Sequence, residues 1–132
     1  MWPVKIYISA SFVSRERLRP IRDELWSMGH EVVSSWLDEV AKPAVMSDED
    51  FYRKLAIKDI AEVVSADLLI SDVFDPSTSG GRDNEFGIAL ARFQHIQVWV
   101  VGEPARLSPF HVLADKRFGG WDEALDVARG LA

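Results

Sequence analysis

Ala66-Asp67-Leu68-Leu69-Ile70-Ser71-Asp72-Val73 runs into Phe74-Asp75-Pro76-Ser77-Thr78-Ser79-Gly80-Gly81-Arg82-Asp83-Asn84-Glu85-Phe86-Gly87-Ile88-Ala89-Leu90, and this stretch decides the fold. Asp67 to Val73 is nearly all apolar, as a central parallel strand covered on both faces must be. A Pro/Ser/Gly loop follows, then an apolar helix from about Asp83 to Phe93. Glu85 is expected in that helix's first turn, where unpaired N–H groups and the helix dipole favour an anion. Such an acid admits two readings: it complements the dipole, or it binds or attacks a substrate at a strand–loop–helix junction.

The same alternation extends in both directions. Val4 to Ser9 reads as a first buried strand, and Ser14 as the N-cap of a helix to about Met28. That helix places Leu18, Ile21, Leu25 and Met28 on one face, and Gly29 ends it. Glu31 to Trp36 is the expected second strand. Leu37 to Ser47 is a loop, and Asp48-Glu49-Asp50 opens a second helix through Ser65. After the third helix come a strand over Ile96 to Val101, a loop over Pro104 to Pro109, a short strand at Lys116 to Phe118, and a closing helix over Trp121 to Leu131. Strands alternating with helices imply parallel pairing with right-handed crossovers. The expected architecture is α/β, a three-layer sandwich of Rossmann or flavodoxin-like type, with a four- or five-stranded, mainly parallel sheet. Ligands of such folds bind beyond the carboxyl ends of the strands.

The 132 residues suit one domain over 1–132 with a single core. The hydrophobic share of 48% with well-mixed charges is ordinary for a globular chain. A formal net charge of -6 argues against a nucleic-acid polymer held by phosphate neutralisation. With no Cys, disulfides, thiolate metal sites and cysteine nucleophiles drop out. Met1 to Tyr7 has no basic segment leading into a long apolar one, and no run reaches the length of a membrane span. The expectation is a cytoplasmic protein without a membrane partner.

Three strand ends deliver candidate residues to one sheet edge: Tyr7, Ser9 and Ser11 from the first, Trp36 and Asp38 from the second, and Asp72 with the Ser/Gly loop and Glu85 from the third. The first loop lacks G-x-G-x-x-G, and no Walker-type sequence is present. The first strand lacks the acidic pair of a metal-dependent receiver, which makes Asp72 a poor phospho-acceptor. Ser9, Ser11 and Ser14 with Arg15 and Arg17 fit a phosphate at a helix N-terminus, and equally an N-cap beside a solvated basic face. Asp59 falls on the apolar arc of its helix, which comprises Phe51, Leu55, Tyr52, Val63, Ala56 and Ile60. An acid there is either capped at the rim or functional, since an unpaired buried carboxylate is costly. Gly80 and Gly81 allow a tight turn or a close approach to a ligand. Trp36 can stack a base or simply pack. His95 and His111 are isolated, and no spacing resembles a metal site.

Lys5-Ile6-Tyr7-Ile8-Ser9, Asp59 followed by Ala66-Asp67-Leu68-Leu69-Ile70, and Gly80-Gly81 leading to Glu85-Phe86-Gly87-Ile88-Ala89-Leu90 together resemble the nucleoside 2-deoxyribosyltransferase superfamily. That superfamily includes 2'-deoxynucleoside 5'-monophosphate N-glycosidases. The resemblance runs over most of the chain, including Phe110-His111 and Trp121-Asp122-Glu123-Ala124-Leu125. It implies Glu85 as the nucleophile on the sugar C1', Tyr7 as the hydroxyl that positions it, and Asp59 as the group that contacts and protonates the leaving base. It implies a sugar- or phosphate-contacting role for Ser77 or Ser79, between which the longer loop here does not choose. Small relatives often carry Asn before the Phe-His pair, where this chain has Ser108-Pro109. A homo-oligomer acting on a small nucleoside or nucleotide is implied by the same resemblance.

The chemistry also fits the residues. Cleaving an N-glycosidic bond needs an anion on one face of the sugar and a proton for the departing base, and neither requires a metal or cofactor. Water as acceptor gives hydrolysis, and a second base gives transfer. Two rivals share this fold class: a non-catalytic nucleotide-binding or regulatory module, and an NAD-cleaving domain of the TIR type with its own glutamate.

Overall fold

The computed structural model describes residues 3–76, 80–103 and 108–131. Five strands form one sheet: β1 (Lys5–Ser9), β2 (Glu31–Val32), β3 (Leu68–Asp72), β4 (Gln97–Val101) and β5 (Lys116–Phe118), in the order β2-β1-β3-β4-β5. Every pairing is parallel. Four α-helices accompany them: α1 (Arg15–Ser27), α2 (Asp48–Ser65), α3 (Gly81–Ala91) and α4 (Trp121–Gly130). Helices α1 and α4 pack together on one face, and α2 and α3 on the other, which makes the three layers. Buried Ile6, Ile8, Leu69, Ile70, Val98 and Trp99 form the centre of the core.

β3 is buried along its whole length, as the apolar run requires. Its register with β1 pairs Tyr7 with Leu69 and Ser9 with Ser71. The chain steps outward from β1 to β2, then crosses back to β3 on the other side of β1. In a sheet of this order the crevice between β1 and β3 is the topological switch point, where ligands bind.

The second strand is shorter than the sequence suggests: it stops at Val32, and Ser35–Asp38 is a 3-10 turn. Side chains take over from the ladder. The Ile8 amide donates to Ser34 Oγ at 3.1 Å, and the Trp36 indole N–H donates to the Ile8 carbonyl at 2.7 Å. The edge of β1 is therefore satisfied without more strand.

α2 starts where its acidic first turn predicts, with Ser47 Oγ accepting from the Asp50 amide at 3.1 Å. Its inward stripe is narrower than the predicted arc. Phe51, Leu55, Asp59 and Val63 face the protein at four-residue spacing, whereas Tyr52, Ala56 and Ile60 are exposed. No helix among the described residues is long and apolar enough to cross a membrane.

Candidate active site

Strand alternation sends Tyr7 and Ser9 to the same face of β1, the face that α3 covers. Both are fully buried, so each hydroxyl needs a partner inside. They share one. Tyr7 Oη donates to Glu85 Oε2 at 2.6 Å, and Ser9 Oγ donates to Glu85 Oε1 at 2.8 Å. Each carboxylate oxygen thus receives a hydroxyl, and no cation pairs with the group among the described residues.

α3 begins two residues earlier than predicted, because Gly80 adopts a left-handed φ of 75° and lets the chain turn at once into the helix. Glu85 is therefore one full turn inside rather than in the first turn, where Asp83 sits instead. The dipole argument weakens accordingly, and the two hydroxyls of β1 do the holding. Burial pushes the Glu85 carboxyl up to about 7, against the lowering effect of the Tyr7 and Ser9 hydrogen bonds, with the Asp59 and Glu62 charges adding to the rise. Tyr7 is driven well above the ordinary phenol range, by burial first and then by the Glu85 and Asp59 charges, so it remains a donor.

Glu85 and Asp59 both line a cavity of about 660 Å³ beyond β1 and β3. Phe12, Trp36, Phe51, Tyr52 and Leu55 give it apolar walls, and Arg15, Glu39, Lys42 and Arg82 give it charge. Asp59 Oδ1 is buried without a hydrogen-bond partner. Burial raises the Asp59 carboxyl to about 6; Lys58 opposes the rise, and Glu62 and Glu39 reinforce it. A partly protonated acid and a carboxylate held by hydroxyls thus share one cavity of nucleoside size.

The other predicted residues divide sharply. Ser11 and Arg15 line the cavity, with the Arg15 guanidinium 4.4 Å from the Phe12 ring centroid and donating to the Glu39 carbonyl at 2.8 Å. Ser9 serves Glu85, so the proposed phosphate cradle loses it. Ser14 is lost as well, because its hydroxyl donates to Asp75 and caps nothing. Arg17 is also committed, making a bidentate pair with Asp72 at 2.8 and 3.0 Å and reaching Asp75 at 3.1 Å. Trp36 is buried with its indole tied to Ile8, and only its edge meets the cavity. Asp38 pairs with Arg22 and Arg19 at the surface. Gly81 lines the cavity and Gly80 makes the turn before it. Ser77 and Ser79 lie outside the described residues. Among the described residues no cluster of three or more His, Asp or Glu is arranged to hold a metal ion.

Three residues of the site were not legible as such. Arg82 lines the cavity while donating to the Asp75 carbonyl at 2.6 Å, which ties the loop after β3 to α3. Glu39 and Lys58 pair with each other beside Asp59. Arg82 sits next to a glycine pair at a helix start, which offered a faint signal. Glu39 and Lys58 come together only through the 3-10 turn after β2.

The sheet order and the layers define a fold, and solved structures share it. A 2-deoxyribosyltransferase from Bacillus psychrosaccharolyticus superposes with a TM-score of 0.72 at 16% identity, covering 92% of this chain and 90% of that one. A conserved protein from Enterococcus faecalis V583 gives 0.70 at 14% identity, over 96% and 97% of the two chains. A CMP N-glycosidase from Clostridium botulinum gives 0.57 at 16% identity, over 93% and 96%. The chain therefore has the fold of these solved structures, one of which is a 2-deoxyribosyltransferase and another a CMP N-glycosidase. No protein-family model matches the sequence, and no curated protein does either.

Proposed function

We propose that this protein cleaves the N-glycosidic bond of a 2'-deoxynucleoside or its 5'-monophosphate. The observation that carries the reading is a carboxylate bound on both oxygens by Tyr7 and Ser9 in the same cavity as the protonatable Asp59. A Glu85 oxygen attacks C1' as the bond to the base breaks, giving a glycosyl-enzyme ester. Asp59 donates its proton to the base nitrogen that takes up the bonding pair. Water or a second base then attacks C1', its proton passing to the Asp59 carboxylate, and Glu85 is released as carboxylate with a free sugar or a new nucleoside as product. Tyr7 and Ser9 orient the carboxylate before attack and receive it again afterwards. Phe12 and the apolar wall suit a base, and Ser11 and Arg15 are the groups left for a 5'-phosphate.

The reaction needs Glu85 ionised and Asp59 protonated, with carboxyls at about 7 and about 6. kcat/KM is then bell-shaped about a maximum near pH ~6.5, where roughly a twentieth of the enzyme holds the productive proton arrangement. A chromatographic assay of deoxynucleosides and their monophosphates, with and without a second free base, tests the reading. Base release or a new nucleoside is expected from wild type, with a loss of about 10³-fold or more in Glu85→Ala. Wild-type turnover by that variant, or nucleotide binding with no base released, removes the mechanism. Nicotinamide release from NAD alone would favour the TIR-type rival.

A homo-oligomer is part of the same proposal. Tyr52, Ile57, Ile60 and Val64 leave an apolar stripe exposed along α2, beside the mouth of the cavity. Sedimentation at micromolar concentration should show more than a monomer, and Ile57→Glu with Ile60→Glu should shift it downward.

A further inference from the structure

Glu39 and Asp59 on the cavity wall are linked by Lys58 behind it, and the reaction scheme leaves Glu39 and Lys58 unused. Lys58 Nζ donates to Glu39 Oε2 and stands 4.0 Å from Asp59 Oδ1. That Asp59 oxygen is buried without a hydrogen-bond partner. An ammonium with three donors so near an orphaned acceptor needs to move only about 1 Å to bond it. The ammonium is bonded to Glu39 instead. The Glu39 side chain is 19% exposed, and its own carbonyl is fixed by the Arg15 guanidinium at 2.8 Å. It follows the 3-10 turn Ser35–Asp38, so its backbone is set by the same local structure that ends β2.

We propose that Glu39 is a positioning residue that tethers Lys58 and thereby leaves the Asp59 carboxyl free to hold a proton. The proposal rests on the reading of Asp59 as the acid that protonates the leaving base. If Lys58 bonded Asp59 directly, it would hold the carboxylate ionised and remove the donor. The competing charges are few. On its own helix Asp59 is faced by Lys58 and Glu62, and Glu39 comes from the loop after β2. Tyr7 on β1 and Glu85 on α3 complete the surroundings, with Arg15, Lys42 and Arg82 on the cavity wall. Of these, Lys58 is the cation adjacent to Asp59, and Glu39 is bonded to it. The pair also sets a balance of sign. Removing the Glu39 charge frees a cation toward Asp59, whereas removing the Lys58 charge leaves an uncompensated anion beside it.

Two substitutions should therefore move Asp59 in opposite directions, which loss of packing would not do. The test is titration of the Asp59 carboxyl carbon by NMR in the full-length protein, assigned with Asp59→Asn, in wild type, Glu39→Gln and Lys58→Met. Glu39→Gln is expected to lower the midpoint by about one pH unit, and Lys58→Met to raise it by a similar amount. Maximal kcat/KM should fall about tenfold for each unit by which Asp59 is lowered. The double variant should stay close to the Lys58→Met midpoint, because Glu39 acts through Lys58; a return to the wild-type midpoint would mean two independent charges and overturns the tether. Unmoved midpoints, or shifts in the same direction, overturn the proposal even if the enzyme turns over normally. Opposite shifts with the double variant at the Lys58→Met midpoint, in a protein that releases no base, uphold the tether and overturn the glycosidase reading instead.

Discussion

Asp72 and Glu85 are two buried carboxylates near the same carboxyl edge of the sheet, and they are held in opposite ways. Asp72, fully buried at the end of β3, receives the Arg17 guanidinium on both oxygens, the Trp121 indole at 2.7 Å and the Phe74 amide at 3.1 Å. Its charge is matched by a cation, and it joins α1, β3 and α4 into one unit. Among the described residues Glu85 receives two neutral hydroxyls and no cation, and its carboxyl rises to about 7. A buried carboxylate paired with a guanidinium is a fastener. The same group held by hydroxyls alone stays poised between charged and neutral, as a nucleophile or proton carrier at neutral pH must be.

Breaking each arrangement should give opposite results. Asp72→Ala strips the partner from Arg17 and leaves the Trp121 N–H buried without an acceptor. It should cost on the order of 3–5 kcal/mol in urea unfolding. Glu85→Gln should do the reverse at high pH. The Glu85 carboxyl is raised from 4.5 to about 7, so between these values the folded protein holds a proton that the unfolded chain has released. Its contribution to stability is full below pH 4.5 and is lost as pH rises through 7. The variant should therefore gain on wild type from pH 5 to pH 8, by up to roughly 3 kcal/mol. Equal pH dependence of the two unfolding midpoints would contradict the raised carboxyl.

Tyr7→Phe sharpens the comparison at smaller amplitude. It deletes one of the two hydrogen bonds that pull the Glu85 carboxyl down, and so raises it further. The optimum should move up by about half a pH unit and the maximum fall about tenfold, read from kcat/KM across pH. A variant with an unshifted profile would mean that Ser9 alone holds the carboxylate.

Much of this was visible in the chain. The apolar Asp67–Val73 run required a doubly covered strand, and the alternation around it required a parallel sheet. Asp59 stood out as an acid on an apolar helix stripe, Glu85 as an acid after a glycine turn, and Tyr7 as a phenol on a strand that runs to the same edge. Tyr7 and Ser9 carried a further signal, since two hydroxyl residues two apart on a buried strand face the same way and each needs a partner there. Which partner was not readable, because Glu85 lies 78 residues beyond Tyr7. The breadth of the α2 arc was overstated for a related reason. Periodicity shows which residues share a face, but not how much of that face the neighbours cover.

The sequence by itself determined the layers, the parallel strands and the acids offered to one edge, because hydropathy period and turn chemistry act over a few residues. Only the tertiary structure decided which carboxylate received a cation. Arg15 and Arg17, two residues apart on α1, point to different sides of the helix, and the fold set the cavity beside the first and Asp72 beside the second. Which groups lie there is decided by the packing of α1 against the ends of β1 and β3, a long-range contact that no local pattern encodes, and among the described residues it left Glu85 with hydroxyls alone.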